Sequence, residues 1–296
     1  MSERSVNYLI SGPSHLANLV VNLYSLRMLR NWTGPVFVHV WGESLNFVAD
    51  IATDNRLDIE IRYREPKLRG KNSQFLDKIQ MMMDCPTRLG VYLDADLLVQ
   101  KPIDRLFAEA EKPGFVATQF NDWKSTGKTI SGRIKRLIDR EPINQQAVQL
   151  VLLQTFPSVN GGVFAARRDS EILPIWYEWS VAVKDVFIAD ETVLHVLLAE
   201  YDATGRIEII KGGHYNCSPK HKPEALDDND VVIWHMHGDC NLRPEKSSKG
   251  YSLWWPVYER CKKFNVGKIN DWVHLIGNRY LKKLEESKHV SSRRPR

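Results

Sequence analysis

Residues 91–99 read VYLDADLLV: Val91-Tyr92-Leu93, then Asp94-Ala95-Asp96, then Leu97-Leu98-Val99. An apolar run of this length reads as a buried strand. Successive strand side chains point to opposite faces, so Asp94 and Asp96 are expected to share one. Two adjacent carboxylates raise each other's pKa and cost free energy unless positive charge lies between them. A surface turn would carry the pair cheaply, but turns are rich in Gly, Pro and Asn, and this run is not. A divalent cation answers the difficulty, because hard metals take carboxylate oxygens and invert the local penalty. The competing reading is a structural pair held by an internal Lys or Arg.

Outward from this stretch, apolar runs alternate with amphipathic ones, the pattern of an α/β fold with a mixed, mostly parallel sheet flanked by helices. Strands are expected at Val6–Ser11, Pro35–Trp41, Leu57–Tyr63, Gly90–Leu98, Gly114–Phe120, Val159–Ala166, Arg206–Lys211 and Val231–His237. Helices are expected at His15–Arg30, Ser73–Asp84, Ser170–Val183, Asp190–Tyr201, Ser252–Lys263 and Asp271–Lys288. The polar, basic stretch Asn121–Asn144 reads as a mobile loop or helical insertion over a site. The aromatics of the last two helices (Trp254, Trp255, Tyr258, Trp272, Tyr280) read as packing residues. Ligands of open α/β sheets bind beyond the carboxyl ends of strands. Asp94, Asp96, Ser11-Gly12 and His235/His237 fall there, as does Asn160 if its strand runs antiparallel at an edge.

The chain has 296 residues, 43% hydrophobic and 26% charged, enough for one large α/β domain or two small ones. A net charge of +5 suits an anionic small substrate and falls short of a nucleic-acid-binding signature. No apolar run is long enough to span a bilayer, and the start MSERSVNYLISG lacks the regions of a signal peptide. Cys85, Cys217, Cys240 and Cys261 form no CxxC pair, so free thiols in a reducing, cytoplasmic setting are expected, with peripheral membrane association left open. The basic end Ser291–Arg296 reads as disordered.

From Tyr8 to about Pro244 the chain resembles the nucleotide-sugar glycosyltransferases of the GT-A (Rossmann-like) fold, in the retaining group that contains glycogenin and the lipopolysaccharide galactosyltransferases. The segment Asp77–Phe107, DKIQMMMDCPTRLGVYLDADLLVQKPIDRLF, carries the likeness most closely. The resemblance implies that Asp94 lies near the ribose and the metal, with Ala95 in the same stretch and Asp96 chelating. It places Lys78 as a cation at the nucleotide end, and the loop Ser11-Gly12-Pro13-Ser14-His15 around base and ribose. VNGGVFAAR (Val159–Arg167) resembles the family's Asn-Ala/Ser-Gly-Val motif, so Gly161 and Gly162 would allow close backbone approach and Asn160 would bond a sugar hydroxyl. Asp190-Glu191 stands where the family commonly has Asp-Gln, and the Glu is a departure. It leaves open which side chain faces the anomeric carbon.

VIWHMHGDCNLRP (Val232–Pro244) resembles the family's His-x-x-Gly-x-x-Lys-Pro-Trp, whose His is the third metal ligand. His235 matches the spacing to Gly238 and is preferred, while His237 matches the spacing to Arg243-Pro244. Arg243 would take the diphosphate, as a bidentate binder. A rival reading takes His214-x-x-Cys217 and His237-x-x-Cys240 as zinc pairs, although Tyr215-Asn216 also resembles a family Tyr-Asn.

The resemblance implies a metal-dependent transferase moving sugar from a nucleotide-diphosphate donor, expected to be a UDP-sugar, with retention. Mn²⁺ is expected, or Mg²⁺, given imidazole beside two carboxylates. Asp190, Glu191 and Asn160 would serve the reacting sugar. The acceptor is unnamed by any motif: glycan, lipid, protein or nucleic acid. Residues 1–245 would form the catalytic domain, 246–288 a helical extension and 289–296 a tail. The alternatives are a metal-dependent nucleotidyltransferase and an inactive sugar-nucleotide-binding relative.

Overall fold

The structure, a computed structural model, describes residues 3–41, 44–65, 73–121, 130–153, 157–237 and 249–272. Its centre is a seven-stranded sheet in the order β3-β2-β1-β4-β7-β6-β8. The strands are β1 (Arg4–Ile10), β2 (Val36–Val40), β3 (Glu60–Tyr63), β4 (Leu89–Leu93), β6 (Phe115–Asn121), β7 (Ser158–Arg167) and β8 (Glu208–Ile210). The first four run parallel, β8 runs parallel to β6, and β7 is antiparallel to both of its neighbours. Two short antiparallel strands, β5 (Leu97–Val99) and β9 (Ile233–His235), form a second sheet.

Alternation along the strands divides the core in two, because neighbouring side chains leave the sheet on opposite sides. Val6, Tyr8, Val91, Leu93, Val163 and Ala165 pack on one face, against helices α1 (Leu16–Tyr24), α2 (Ser44–Ala52) and α4 (Asp104–Ala110). Helix α8 (Lys249–Lys263) joins that face through Trp254, Tyr258 and Cys261. Tyr92, Phe164 and Phe115 point the other way and stack in turn, with Trp176 edge-on to the last two. That face is covered by α3 (Ser73–Met83), α5 (Gln145–Leu152), α6 (Ile172–Ala182) and α7 (Ala189–Tyr201).

The expected strand Gly90–Leu98 is two strands. β4 ends at Leu93, Asp94-Ala95-Asp96 makes a turn, and β5 then leaves the main sheet to pair with β9, Leu97 opposite His235. The break has a physical reason. The Asp94 N–H donates to the Gly162 carbonyl (2.8 Å), whereas the Asp96 carbonyl accepts from Met236 N–H (2.9 Å), so the two aspartates belong to different sheets. Nor is Asn160's strand at an edge: β7 lies between β4 and β6. Its small and apolar residues suit burial on both faces, while Asn160 itself stays partly exposed.

The helix expected over His15–Arg30 is a 3₁₀ turn at Pro13–His15, then α1, then a π-helical turn at Ser25–Leu29. There the buried Ser25 hydroxyl donates to the Asn22 carbonyl (2.7 Å) and accepts from Val99 N–H (3.1 Å). Within Asn121–Asn144, residues 130–134 are helical, and Ile130, Ile134, Leu137 and Ile143 are buried in the second core. The described part is therefore a packed helical insertion. Helices α2, α4 and α5 carry no expectation from the sequence; the helix expected over Asp271–Lys288 lies outside the described residues beyond Trp272.

Candidate active site

The carboxyl end of β4 meets β7 and β9 at one point. The Asp94, Asp96 and His235 ligand atoms lie within 4.8 Å of one another, a grouping able to hold a metal ion. His235 Nε2 is 3.4 Å from Asp96 Oδ1 and 3.9 Å from Asp94 Oδ2. The ring is oriented from behind: its Nδ1 lies 2.8 Å from the Asn216 side-chain oxygen, so Nδ1 carries the proton and donates. Asn216 is itself held, donating to Thr118 Oγ1 (3.2 Å) and the Asn160 carbonyl (3.3 Å). Tyr92 donates to Asp94 Oδ1 (2.7 Å), which leaves Oδ2 directed at the cluster. Asn22, on α1, donates to the Asp94 carbonyl (2.9 Å) and receives the Tyr8 hydroxyl (3.1 Å).

This donor set fits a hard or borderline divalent cation. With Nδ1 spoken for, the Nε2 lone pair of a neutral His235 would face two carboxylates, a repulsive arrangement unless a proton or a cation sits between them. The His235 ring and the Asp96 carboxylate each favour the other's charged form. Burial works against the charge on Asp96, but His235 outweighs it and holds its pKa well below the usual carboxylate range. Burial opposes the charge on His235 as well, and Asp96 and then Asp94 raise its pKa. Backbone shape agrees. A Cβ on Gly162 would stand 2.6 Å from Asp94 Oδ2 and 2.7 Å from both Asn160 Oδ1 and His235 Cε1, so only glycine lets β7 pass this close.

Beside the cluster lies a cleft of about 280 Å³ lined by Ser11, His15, Phe75, Lys78, Asp94 and Asp96, with Ala95 also on its wall. Lys78, on α3, is buried with its ammonium 2.5 Å from Asp190 Oδ2. Burial disfavours its charge, yet Asp190 and then Asp94 raise its pKa, so it stays an ammonium. Asp190 and Glu191 open α7, whose N-cap residue Ile188 lies in the left-handed region (φ 52°), a strained conformation for a β-branched residue. The Ile188 carbonyl accepts from Thr192 N–H (3.0 Å) and Oγ1 (2.9 Å), and Trp176 donates to the Asp190 carbonyl (2.8 Å). Both carboxylates are thereby fixed at the helix start. Glu191 accepts from Asn160 (2.9 Å) and pairs with Arg133 (2.6 Å); Asn160 Oδ1 accepts from Gly162 N–H (2.7 Å).

No protein-family model and no curated protein matches the sequence. Solved structures do. The galactosyltransferase LgtC, in complex with donor and acceptor sugar analogs, superposes with a TM-score of 0.58 at 14% identity, over 86% of this chain and 95% of that one. Mouse xyloside xylosyltransferase 1 gives 0.54 at 14%, over 80% of this chain and 99% of that one. The glycosyltransferase GlyE of Streptococcus pneumoniae TIGR4 gives 0.58 at 11%, over 96% and 64%. The chain has the GT-A glycosyltransferase fold.

On this GT-A frame most residues singled out from the sequence converge. Asp94, Asp96, His235, Lys78, Asn160, Gly161, Gly162, Asp190 and Glu191 form one connected site, with Ser11 and His15 on the cleft wall and Gly12 between them. His237 is exposed, its ring against Phe120, and lies outside the cluster. Arg243, Pro244 and Cys240 lie outside the described residues. Of the zinc rival, His214 Nδ1 contacts the Asp230 carbonyl, and the buried Cys217 thiol is pushed up to about 12 by desolvation. Neither joins a metal-holding group among the described residues. Sequence reading passed over Asn22 and Arg133. Asn22 had a signal, since Asn18, Asn22 and Ser25 recur at helical spacing within an otherwise apolar segment. Arg133 had none: it is one cation among several in a basic stretch.

Proposed function

We propose that the protein is a metal-dependent glycosyltransferase that takes a nucleotide-diphosphate sugar, a UDP-sugar in the first instance, and transfers the sugar with retention. The observation that carries this reading is the Asp94–Asp96–His235 cluster at the mouth of a cleft on a GT-A fold, with Gly162 giving way to it. Asp94, Asp96 and His235 would hold Mn²⁺ or Mg²⁺. When bound, the cation would supply Lewis-acid stabilisation of the charge that develops on the departing diphosphate.

The chain's own groups account for the rest. Ser11 and His15 offer polar contacts to base and ribose along the cleft wall. Arg243 would neutralise diphosphate, as its motif implies. Asp190 and Glu191 are carboxylates whose fixed charges favour an oxocarbenium-like sugar, and Asn160 keeps one amide hydrogen for a sugar hydroxyl. The Lys78 ammonium holds Asp190 in place, so its first duty is to position a carboxylate. The acceptor would approach from the leaving-group side, as retention requires.

A thermal-shift panel tests the reading. UDP-galactose, UDP-glucose, their GDP and ADP counterparts, UTP and ATP are each added with and without Mn²⁺. A UDP-sugar should raise the melting temperature only when Mn²⁺ is present. A shift with nucleoside triphosphates and none with sugar nucleotides would favour a nucleotidyltransferase instead.

A further inference from the structure

The sequence departs from its resemblance at Glu191, where a neutral Gln is usual. A carboxylate there needs something a glutamine does not. It stands beside Asp190, another buried carboxylate, and is itself largely buried, at 10% side-chain exposure. An unpaired charge in that position would be strongly unfavourable. Arg133, at 16% exposure, meets it with Nη2 at 2.6 Å from Oε1. The second oxygen of Glu191 accepts from Asn160 Nδ2 (2.9 Å), and Asn160 Oδ1 accepts from Gly162 N–H (2.7 Å). Gly162 in turn gives its carbonyl to Asp94 N–H (2.8 Å). One chain of contacts thus runs from the insertion at residues 130–144 to the metal-ligand turn.

We propose that Arg133 is a positioning residue of the transferase site: its guanidinium pairs with Glu191 and, through Glu191, fixes the Asn160 amide beside Gly161 and Gly162. The proposal rests on the transferase reading. It also explains the departure, since Glu191 and Arg133 together replace one neutral side chain by an ion pair. With its oxygen committed to Gly162 and one N–H to Glu191, Asn160 has its amide orientation set and a single N–H left for a ligand. Removing Arg133 frees Glu191 to turn, and the Asn160 amide loses the partner that sets it.

The test compares wild type with Arg133→Met, Arg133→Lys and the double variant Arg133→Met/Glu191→Gln in the full chain. Three quantities are read: the isotope-labelled side-chain amide resonance of Asn160 in the metal-free protein, Mn²⁺ affinity, and UDP release from UDP-galactose and UDP-glucose with Mn²⁺. In Arg133→Met the amide resonance should move, and kcat should fall about 100-fold, the scale expected when a reacting group is misplaced by an ångström. Mn²⁺ affinity should stay at the wild-type value. Arg133→Lys keeps the charge without the planar fork and should lie between the two. Adding Glu191→Gln to Arg133→Met should restore the resonance, which a loss of general stability would not do. Should Arg133→Met fail to fold, Arg133→Gln takes its place. An unmoved resonance overturns the proposal, as does a double variant whose resonance stays where that of the single lies, or a fall in Mn²⁺ affinity matching the fall in kcat. If the resonance responds but wild type releases no UDP from either sugar, the transferase reading fails while the contact chain stands.

Discussion

Replacing Gly162 by alanine adds one methyl group at the point where β7 passes the Asp94–Asp96–His235 cluster. An ordinary contact begins near 3.4 Å, so the new Cβ, at 2.6 Å, would force Asp94 Oδ2 back by about 0.8 Å, and His235 Cε1 and Asn160 Oδ1 by about 0.7 Å each. Those neighbours cannot yield cheaply, because Asp94 is tied to Tyr92, His235 to Asn216 and Asn160 to Glu191. Metal–ligand distances tolerate about 0.2 Å, so the shift breaks at least one ligand contact. Losing mere outer support costs 10–100-fold in metal affinity, and this loss should reach about 100-fold or more. Overpacking should also cost about 1–3 kcal/mol of stability.

The assay is Mn²⁺ titration by electron paramagnetic resonance, with chemical denaturation alongside. Gly161→Ala separates steric crowding from metal chemistry: its Cβ would meet Lys78 Nζ at 2.7 Å and Asp190 Oδ2 at 3.1 Å, so Mn²⁺ binding should survive it. Gly12→Ala meets nothing within 4 Å and serves as the neutral control. Wild-type Mn²⁺ affinity in folded Gly162→Ala would refute the reasoning.

Other outcomes follow from the same geometry. His235→Ala should abolish Mn²⁺-dependent stabilisation by UDP, which at a hundredfold excess over Kd is worth about 2.7 kcal/mol, while His237→Ala should keep it; the reverse order would move the ligand to His237. Asn216→Ala should weaken Mn²⁺ binding by about 10–100-fold without touching a ligand, since it removes the group that orients His235; unchanged affinity would show the ring is held otherwise. Burial lowers the His195 pKa from 6.5 to about 4, and its ring bridges the Glu191 carbonyl (2.7 Å) and Val159 N–H (3.2 Å) as a neutral group. The unfolded chain therefore binds the extra proton first. Stability should be full above pH 6.5 and fall toward pH 4 by up to about 1.4 kcal/mol per pH unit from this residue. Urea unfolding at successive pH values checks this: His195→Gln should flatten that limb, and an unchanged slope would contradict the assignment.

The central strands were legible because both faces of the sheet are buried there, so β2 and β4 stand out as apolar runs, whereas α2, α4 and α5 carried no expectation. What was not legible is where runs break for tertiary reasons. VYLDADLLV looks continuous, yet the chain changes sheets inside it, because Asp94 bonds β7 and Asp96 bonds the residue after β9. Sequence alternation cannot record which partner a backbone group will find. Asp94, Asp96 and His235 were visible as polar residues set in apolar runs. Their supports were less so: Asn216 was visible only through resemblance, and Arg133 matters through one long-range ion pair.

The central claim is tested most directly by UDP release from UDP-galactose and UDP-glucose, using protein stripped of metal and then resupplied. Release should be absent in the stripped protein, return with Mn²⁺, and stay absent in Asp96→Asn whether or not Mn²⁺ is added. Release that continues undiminished in excess chelator, after metal removal is verified, would contradict the account.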